Sequence, residues 1–126
     1  MIPVDACSIS IRRSGDTAIV EVSGEVDTGS VPLLAKALQN AARTGKKRVV
    51  LDAHDLTYID SSGIQTLISF QQKLGERNKT LAVAGCHGIF RRLITIARLE
   101  KHLPIFTSIE EALQSGEVVQ GGKPET

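Results

Sequence analysis

The chain has 126 residues, of which 41% are apolar, with three Phe, one Tyr and no Trp; its 15 basic and 14 acidic residues nearly cancel to a net charge of +1. One domain with a core of Val, Ile, Leu and Ala fits that length. The scarcity of aromatics argues against a base-stacking nucleic-acid binder, and the near neutrality gives no visible preference for nucleic acid or a membrane surface. No apolar stretch approaches the length of a membrane span. Met1-Ile-Pro-Val-Asp5 has no basic segment leading into an apolar run, so no signal peptide is expected. Cys7 and Cys86 form no C-x-x-C pair, which makes reducing cytosol and two free thiols the expected setting.

Residues 7–13 alternate, with Cys7, Ile9 and Ile11 on one side and Ser8, Ser10 and Arg12 on the other, as a half-buried strand does. Ser14-Gly15-Asp16 is a turn signal, and 17–23 alternate again, so the two read as a hairpin with one polar side. Gly24 to Gly29 reads as a loop carrying Glu25 and Asp27. Ser30 is a candidate N-cap, with Pro32 in the first turn of a helix whose stripe is Val31, Leu34, Ala37, Leu38 and Ala41. Thr44-Gly45 stops it. The cluster Arg43, Lys46, Lys47, Arg48 reads as a solvated helix end and strand start.

Arg48-Val49-Val50-Leu51-Asp52 is a central strand. His54 to Asp60 reads as a loop into Ser61-Ser62-Gly63, after which Ile64, Leu67, Ile68 and Leu74 trace a second helix, ended by Gly75. Thr80–Ala84 is the next strand. Ile89, Leu93, Ile96 and Ala97 give a third helix, Leu103–Phe106 a last strand, and Ser108 caps a small helix over Ile109–Leu113. The order β-β-α-β-α-β-α-β-α predicts a mixed α/β sheet of about five strands, the first antiparallel and the rest mainly parallel, with about four helices. A single domain over 1–114 is expected, with the Gly-rich polar segment 115–126 as a disordered tail.

Asp60-Ser61-Ser62-Gly63 is the most informative segment. Asp60 or Ser61 can cap the helix, which is the plain structural reading. A serine there also follows a loop and so tends to be exposed, and open first-turn N–H groups at the positive dipole end can accommodate a phosphate. Gly63, lacking a side chain, would let a partner approach closely. No nucleophile elbow is present, because neither serine has the flanking glycines of G-x-S-x-G. His54 beside Asp52 and Asp55 could serve as a base with its orienting acid, but a chance neighbour is the simpler reading of one loop histidine. Asp52, His54, Asp55 and Asp60 lack metal-ligand spacing, and Gly45-Lys46-Lys47 fails as a phosphate-binding loop because Asn40 stands where the first glycine belongs. His87, His102, Arg91 and Arg92 show no convergent pattern. Neither a catalytic set nor a metal or cofactor site is expected.

The stretches Val22-Ser23-Gly24-Glu25-Val26-Asp27, Val49-Val50-Leu51-Asp52 and Tyr58-Ile59-Asp60-Ser61-Ser62-Gly63-Ile64 resemble bacterial anti-sigma factor antagonists of the STAS domain class, as does the ending Phe106-Thr107-Ser108-Ile109-Glu110-Glu111-Ala112-Leu113. The likeness covers roughly residues 8–114. It implies partner switching: a cytoplasmic, non-enzymatic protein binds an anti-sigma factor that is also a GHKL-type serine kinase, freeing a sigma factor. Phosphorylation of the first serine of the motif, here Ser61, ends that binding, and a PP2C-type phosphatase restores it. Asp27 matches the family's acidic position near the acceptor, while Asp60, Ser62 and Gly63 would complete the contact surface. No direct nucleic-acid contact and no membrane insertion are implied. The rival within the same class is an adaptor subunit of a membrane transporter, such as a lipid-transport ABC complex, that packs against its ATPase without phosphate cycling.

Overall fold

Residues 7–44 and 47–114 are described by a computed structural model. The expectations for the N-terminal segment, for Gly45 as a helix stop and for the tail 115–126 lie outside them. The elements run β1 (Ser8–Ser14), β2 (Thr17–Val26), α1 (Val31–Thr44), β3 (Arg48–Asp52), β4 (Leu56–Ile59), α2 (Ser61–Gly75), β5 (Thr80–Ala84), α3 (Gly88–Ala97), a 3-10 turn (Leu99–Lys101), β6 (Ile105–Phe106) and α4 (Ile109–Gln114). The path of the sheet is β1-β2-β3-β5-β6, with β4 paired separately to β2. Only β1 is antiparallel to its neighbour; β2–β3, β3–β5, β5–β6 and β2–β4 are all parallel.

The period of two along each strand sorts the core between two faces. Ala18, Val20 and Val22 of β2, Val49 and Leu51 of β3, and Leu81 and Val83 of β5 meet Leu34 and Leu38 of α1, Leu67 of α2 and Phe90 of α3. The residues between them, Ile19, Val50 and Ala82, turn to a smaller cluster closed by Ala112 of α4. The buried Arg48 donates from Nη2 to the Ala112 carbonyl at 2.6 Å, tying α4 to the start of β3. The polar half of the hairpin remains open, with Ser10 and Arg12 of β1 on Glu21 of β2 at 3.2 and 3.0 Å. Cys7 and Cys86 are both free thiols.

Three local expectations need correction. The segment 54–60 is not all loop: β4 runs through it and extends β2 past Ser23 to Val26. Its pattern hides the strand, because Leu56 and Ile59 are buried and both Thr57 and Tyr58 are exposed, so alternation fails. The cause is a register shift opposite Gly24/Glu25, with Gly24 at φ 88°, where a residue without Cβ is favoured. The buried stripe of α3 is Phe90 and Ile94, one position away from the expected Ile89 and Leu93, and the expected Ile96 is 77% exposed. The last strand is shorter than expected, because Leu103 is buried behind the 3-10 turn and only Ile105–Phe106 joins the sheet.

Candidate functional site

The site forms where β4 turns into α2. Asp60 leaves β4 in an extended conformation, φ −101° and ψ −175°, and its N–H donates to the Val26 carbonyl at 3.1 Å. Its own carbonyl accepts the first helical bond, from Ile64 N at 3.1 Å. Its carboxylate takes three donors on one oxygen: Ser62 N at 3.0 Å, Gly63 N at 3.2 Å and Ser62 Oγ at 2.6 Å. Asp60 is therefore the N-cap and Ser61 the first helical residue, which decides between the two capping candidates. The Ser62 hydroxyl, then the Gly63, Ser62 and Thr28 N–H groups, pull the Asp60 carboxyl below the ordinary carboxylate value, against a smaller opposing effect of burial.

The two serines differ sharply. Ser62 is half-buried and its hydroxyl proton is directed at Asp60. Ser61 is exposed, and among the described residues its hydroxyl has no hydrogen-bond partner. One part of the sequence reading changes here. The N–H groups of Ser62 and Gly63 are not open to an added anion, because the Asp60 carboxylate already holds both.

The β2–α1 loop lies against this helix start. Asp27 is exposed; its Oδ1 accepts from Ser30 N at 3.2 Å and Ser30 Oγ at 3.1 Å, and its carbonyl accepts from Ser30 N and Val31 N. Ser30 stands at the N-cap position of α1, since its carbonyl accepts from Leu34 N at 3.0 Å, but its hydroxyl turns back to Glu25 O and Asp27 rather than into the helix. Thr28 joins loop to helix by donating from Oγ1 to Ser62 Oγ at 3.5 Å. Sequence reasoning missed Thr28. No local signal marks it, because its neighbour lies 34 positions away and meets it only once β2 and β4 have paired.

Gly63 takes a different role from the one expected. It is buried, and a Cβ there would stand 2.7 Å from Ile59 Cγ1 and 2.8 Å from Val26 Cγ1. Its lack of a side chain lets the first turn of α2 lie flat on β2 and β4.

The other polar candidates are engaged elsewhere. Asp52 Oδ1 accepts from His54 N at 3.0 Å, the His54 ring meets Asp55 at 3.2 Å in an exposed pair, and His87 Nε2 bonds the His54 carbonyl at 2.7 Å. Among the described residues no group of three or more His, Cys, Asp or Glu side chains could hold a metal ion. Burial pushes the Cys86 thiol up to about 12. No helix of the described residues is long and apolar enough to cross a membrane.

Residues 8–112 match the profile of the STAS domain. An anti-sigma-F factor antagonist of Mycobacterium tuberculosis, RsfB, is 23% identical over 119 residues, covering 94% of both chains. Among solved structures, an anti-sigma factor antagonist from Mycobacterium paratuberculosis superposes with a TM-score of 0.80 at 24% identity, over 91% of this chain and 97% of that one. SpoIIAA, also an anti-sigma factor antagonist, has been solved unphosphorylated and phosphorylated, with TM-scores of 0.71 and 0.67 at 16% and 15% identity; the matches cover 93% and 86% of this chain and 100% and 99% of those. At these identities the structural likeness establishes the fold.

Proposed function

The chain belongs to the STAS domain family, and from that premise we propose that it is an anti-sigma factor antagonist whose docking is switched by phosphorylation of Ser61. One observation carries the reading: of two adjacent hydroxyls at the start of α2, Ser61 is exposed and unengaged beside an acidic loop, and Ser62 is held. The relatives' names supply the partner class, an anti-sigma factor. In this reading that partner is also a GHKL-type serine kinase, a PP2C-type phosphatase reverses the modification, and the exchange takes place in the cytoplasm. The protein acts by binding, with Asp27 and Ser61 on the contact surface and Asp60 and Ser62 shaping it from beneath.

The energetics are consistent with a switch. Turning a binding equilibrium from almost all bound to almost all free takes about 5.5 kcal/mol of differential affinity. A helix N-terminus returns only about 0.3–1 kcal/mol to an exposed anion, and here two of its N–H groups already serve Asp60. The phosphate gains little from the domain, so the fold neither depends on it nor traps it. In the docked complex a charge of about −1.5 to −2 would be desolvated next to the Asp60 carboxylate, which supplies the larger penalty.

The test incubates the tagged chain with each GHKL-type serine kinase of the source organism and MgATP, followed by pull-down and mass spectrometry. The unmodified chain should capture one kinase, the Ser61-phosphorylated chain should release it with a loss of affinity of about four orders of magnitude, and a PP2C-type phosphatase should restore capture. Phosphate at another residue, or capture indifferent to phosphate, overturns the assignment. Stable co-purification with an ABC ATPase without phosphate uptake would move the chain to the transporter-adaptor class.

A further inference from the structure

Two hydroxyls one residue apart stand at the start of α2, and a kinase that reaches one comes close to the other. We propose that Asp60 and Thr28 decide between them: by engaging Ser62 Oγ from its donor side and its acceptor side, they withhold it from phosphoryl transfer and leave Ser61 the single acceptor. This rests on the phosphorylation switch proposed above and adds to it the residues that set its regiochemistry.

The transfer itself is a displacement. Ser61 Oγ forms a bond to the γ-phosphorus of a nucleoside triphosphate held by the kinase, and the bond from that phosphorus to the β,γ-bridging oxygen breaks. The nucleoside diphosphate leaves with the electron pair, and the hydroxyl proton passes to a base of the kinase. An acceptor oxygen therefore needs a free lone pair aimed at phosphorus and a proton that a kinase base can reach.

Ser62 meets both needs poorly. Its proton lies in a 2.6 Å bond to the Asp60 carboxylate, a charge-assisted contact of the stronger kind. Its oxygen accepts from Thr28 Oγ1 at 3.5 Å, and the side chain is half-buried between the β2–α1 loop and the helix. To act as acceptor it would have to leave both partners and strand the Asp60 oxygen with one donor fewer. A carboxylate on a serine can also serve as a general base, which would favour Ser62. Asp60 is poorly suited to that, because the Ser62 hydroxyl and two backbone N–H groups converge on the same oxygen and lower its basicity. Ser61 has an exposed hydroxyl and no such engagement among the described residues.

The same chain of contacts, Thr28–Ser62–Asp60, also holds the loop bearing Asp27 against the acceptor's helix. Thr28 is thus also, through Ser62, a positioning residue for Asp27, while Asp60 carries the larger share of the selectivity.

The experiment maps phosphate occupancy at Ser61 and Ser62 by tandem mass spectrometry after treatment with the same kinases and MgATP, for the full chain and for Asp60→Asn and Thr28→Val. Asn still offers a capping oxygen, so the helix start persists, and circular dichroism confirms it. Wild type should carry phosphate on Ser61 alone. Asn keeps an acceptor oxygen in the same place but not its charge, so the hold on the Ser62 hydroxyl weakens, and the Ser62 share should rise from undetectable to measurable in Asp60→Asn, with a smaller rise for Thr28→Val. A second readout needs no kinase: the Ser62 hydroxyl proton should be visible by NMR as slowly exchanging in wild type and should exchange faster in Asp60→Asn. Phosphate on both serines of wild type, or a folded Asp60→Asn chain with unchanged site ratio, overturns the selectivity assignment while leaving the switch intact. No phosphate on either serine of wild type overturns the switch itself, and the selectivity with it.

Discussion

Two helices start at the same edge of the sheet, each just after a parallel strand, and they start differently. At the head of α2, Asp60 supplies a side-chain cap to two backbone N–H groups and holds the Ser62 hydroxyl as well. At the head of α3, His87 occupies the N-cap with no side-chain cap bond, its ring turned away to the His54 carbonyl, and Gly88 follows at φ 57°. On helix-end electrostatics alone, α3 offers an anion the emptier terminus. The proposed phosphate acceptor is nevertheless at the terminus already occupied by a carboxylate. A phosphate at Ser61 would therefore not be drawn into a vacant cradle; it would be added beside a fixed negative charge and stay on the surface, where a docking partner would meet it. That arrangement suits a switch that must break an interface and be reversible.

The largest expected effect tests that arrangement at Ser61. Ser61→Ala should keep full affinity for the captured kinase and take up no phosphate. Ser61→Asp should lose on the order of 10–100-fold in affinity, less than the phosphorylated chain, because a carboxylate carries about half the charge of a phosphate and fewer acceptor oxygens. Isothermal titration against the kinase measures both. If Ser61→Asp bound as tightly as Ser61→Ala, the penalty would not come from charge at this point of the surface.

Next in size is Gly63, the residue that lets α2 start so close to β2 and β4. Gly63→Ala places a methyl 2.7–2.8 Å from Ile59 and Val26. The overpacking should cost about 1–3 kcal/mol, offset by up to about 1 kcal/mol of helix propensity. Gly75, in the last turn of the same helix, has open space around its Cβ position, and Gly75→Ala should be neutral or stabilising. Urea unfolding of the pair separates a packing glycine from a permissive one.

Much of this organisation was legible in the sequence because most strands and helices announce themselves by period. The hairpin, α1, β3 and β5 follow from alternation or from apolar runs between charges, and the Asp60-Ser61-Ser62-Gly63 segment marks its own helix start. What escaped legibility depends on tertiary register. The shift at Gly24/Glu25 breaks the alternation of β4, so Leu56 and Ile59 look like loop apolars. Phe90 anchors α3 to the core, and a stripe drawn through Ile89 and Leu93 misses the rotation by one residue. Thr28 has no local signature because its contact is made across 34 positions. The packing role of Gly63 was hidden for the same reason: Val26 and Ile59 reach it only after β2 and β4 have paired.

The Asp60 cap makes a pH-dependent contribution whose sign is fixed. Its folded-state carboxyl is depressed below the ordinary value of 3.8, chiefly by the Ser62 hydroxyl. The stability it adds is present above the unfolded-chain value and is lost as pH falls through the folded one. Between pH 5 and pH 3, wild type should therefore lose more stability than Asp60→Asn, which has no charge to lose. Equal slopes for the two chains would show that the carboxylate at the head of α2 is not stabilised by the bonds described.

The smallest effect lies at the other helix head, where the comparison can be reversed by one substitution. His87 sits at φ −154° and ψ 176°, extended as an N-cap residue should be, and lacks only an acceptor aimed into the first turn. His87→Asp supplies one, and adds a negative charge at the positive end of α3. Capping of this kind contributes about 0.5–2 kcal/mol, against which stands the exposed bond from the His87 ring to the His54 carbonyl, worth about 0.5–1.5 kcal/mol. The midpoints of the two ranges leave a stabilisation of about a few tenths of a kcal/mol, read as a rise in the urea midpoint. His87→Ala removes the ring bond without adding a cap and should move the midpoint the other way. If both variants destabilise equally, the open head of α3 is held by the His87–His54 contact alone, and the lack of a cap there carries no energetic deficit to repair.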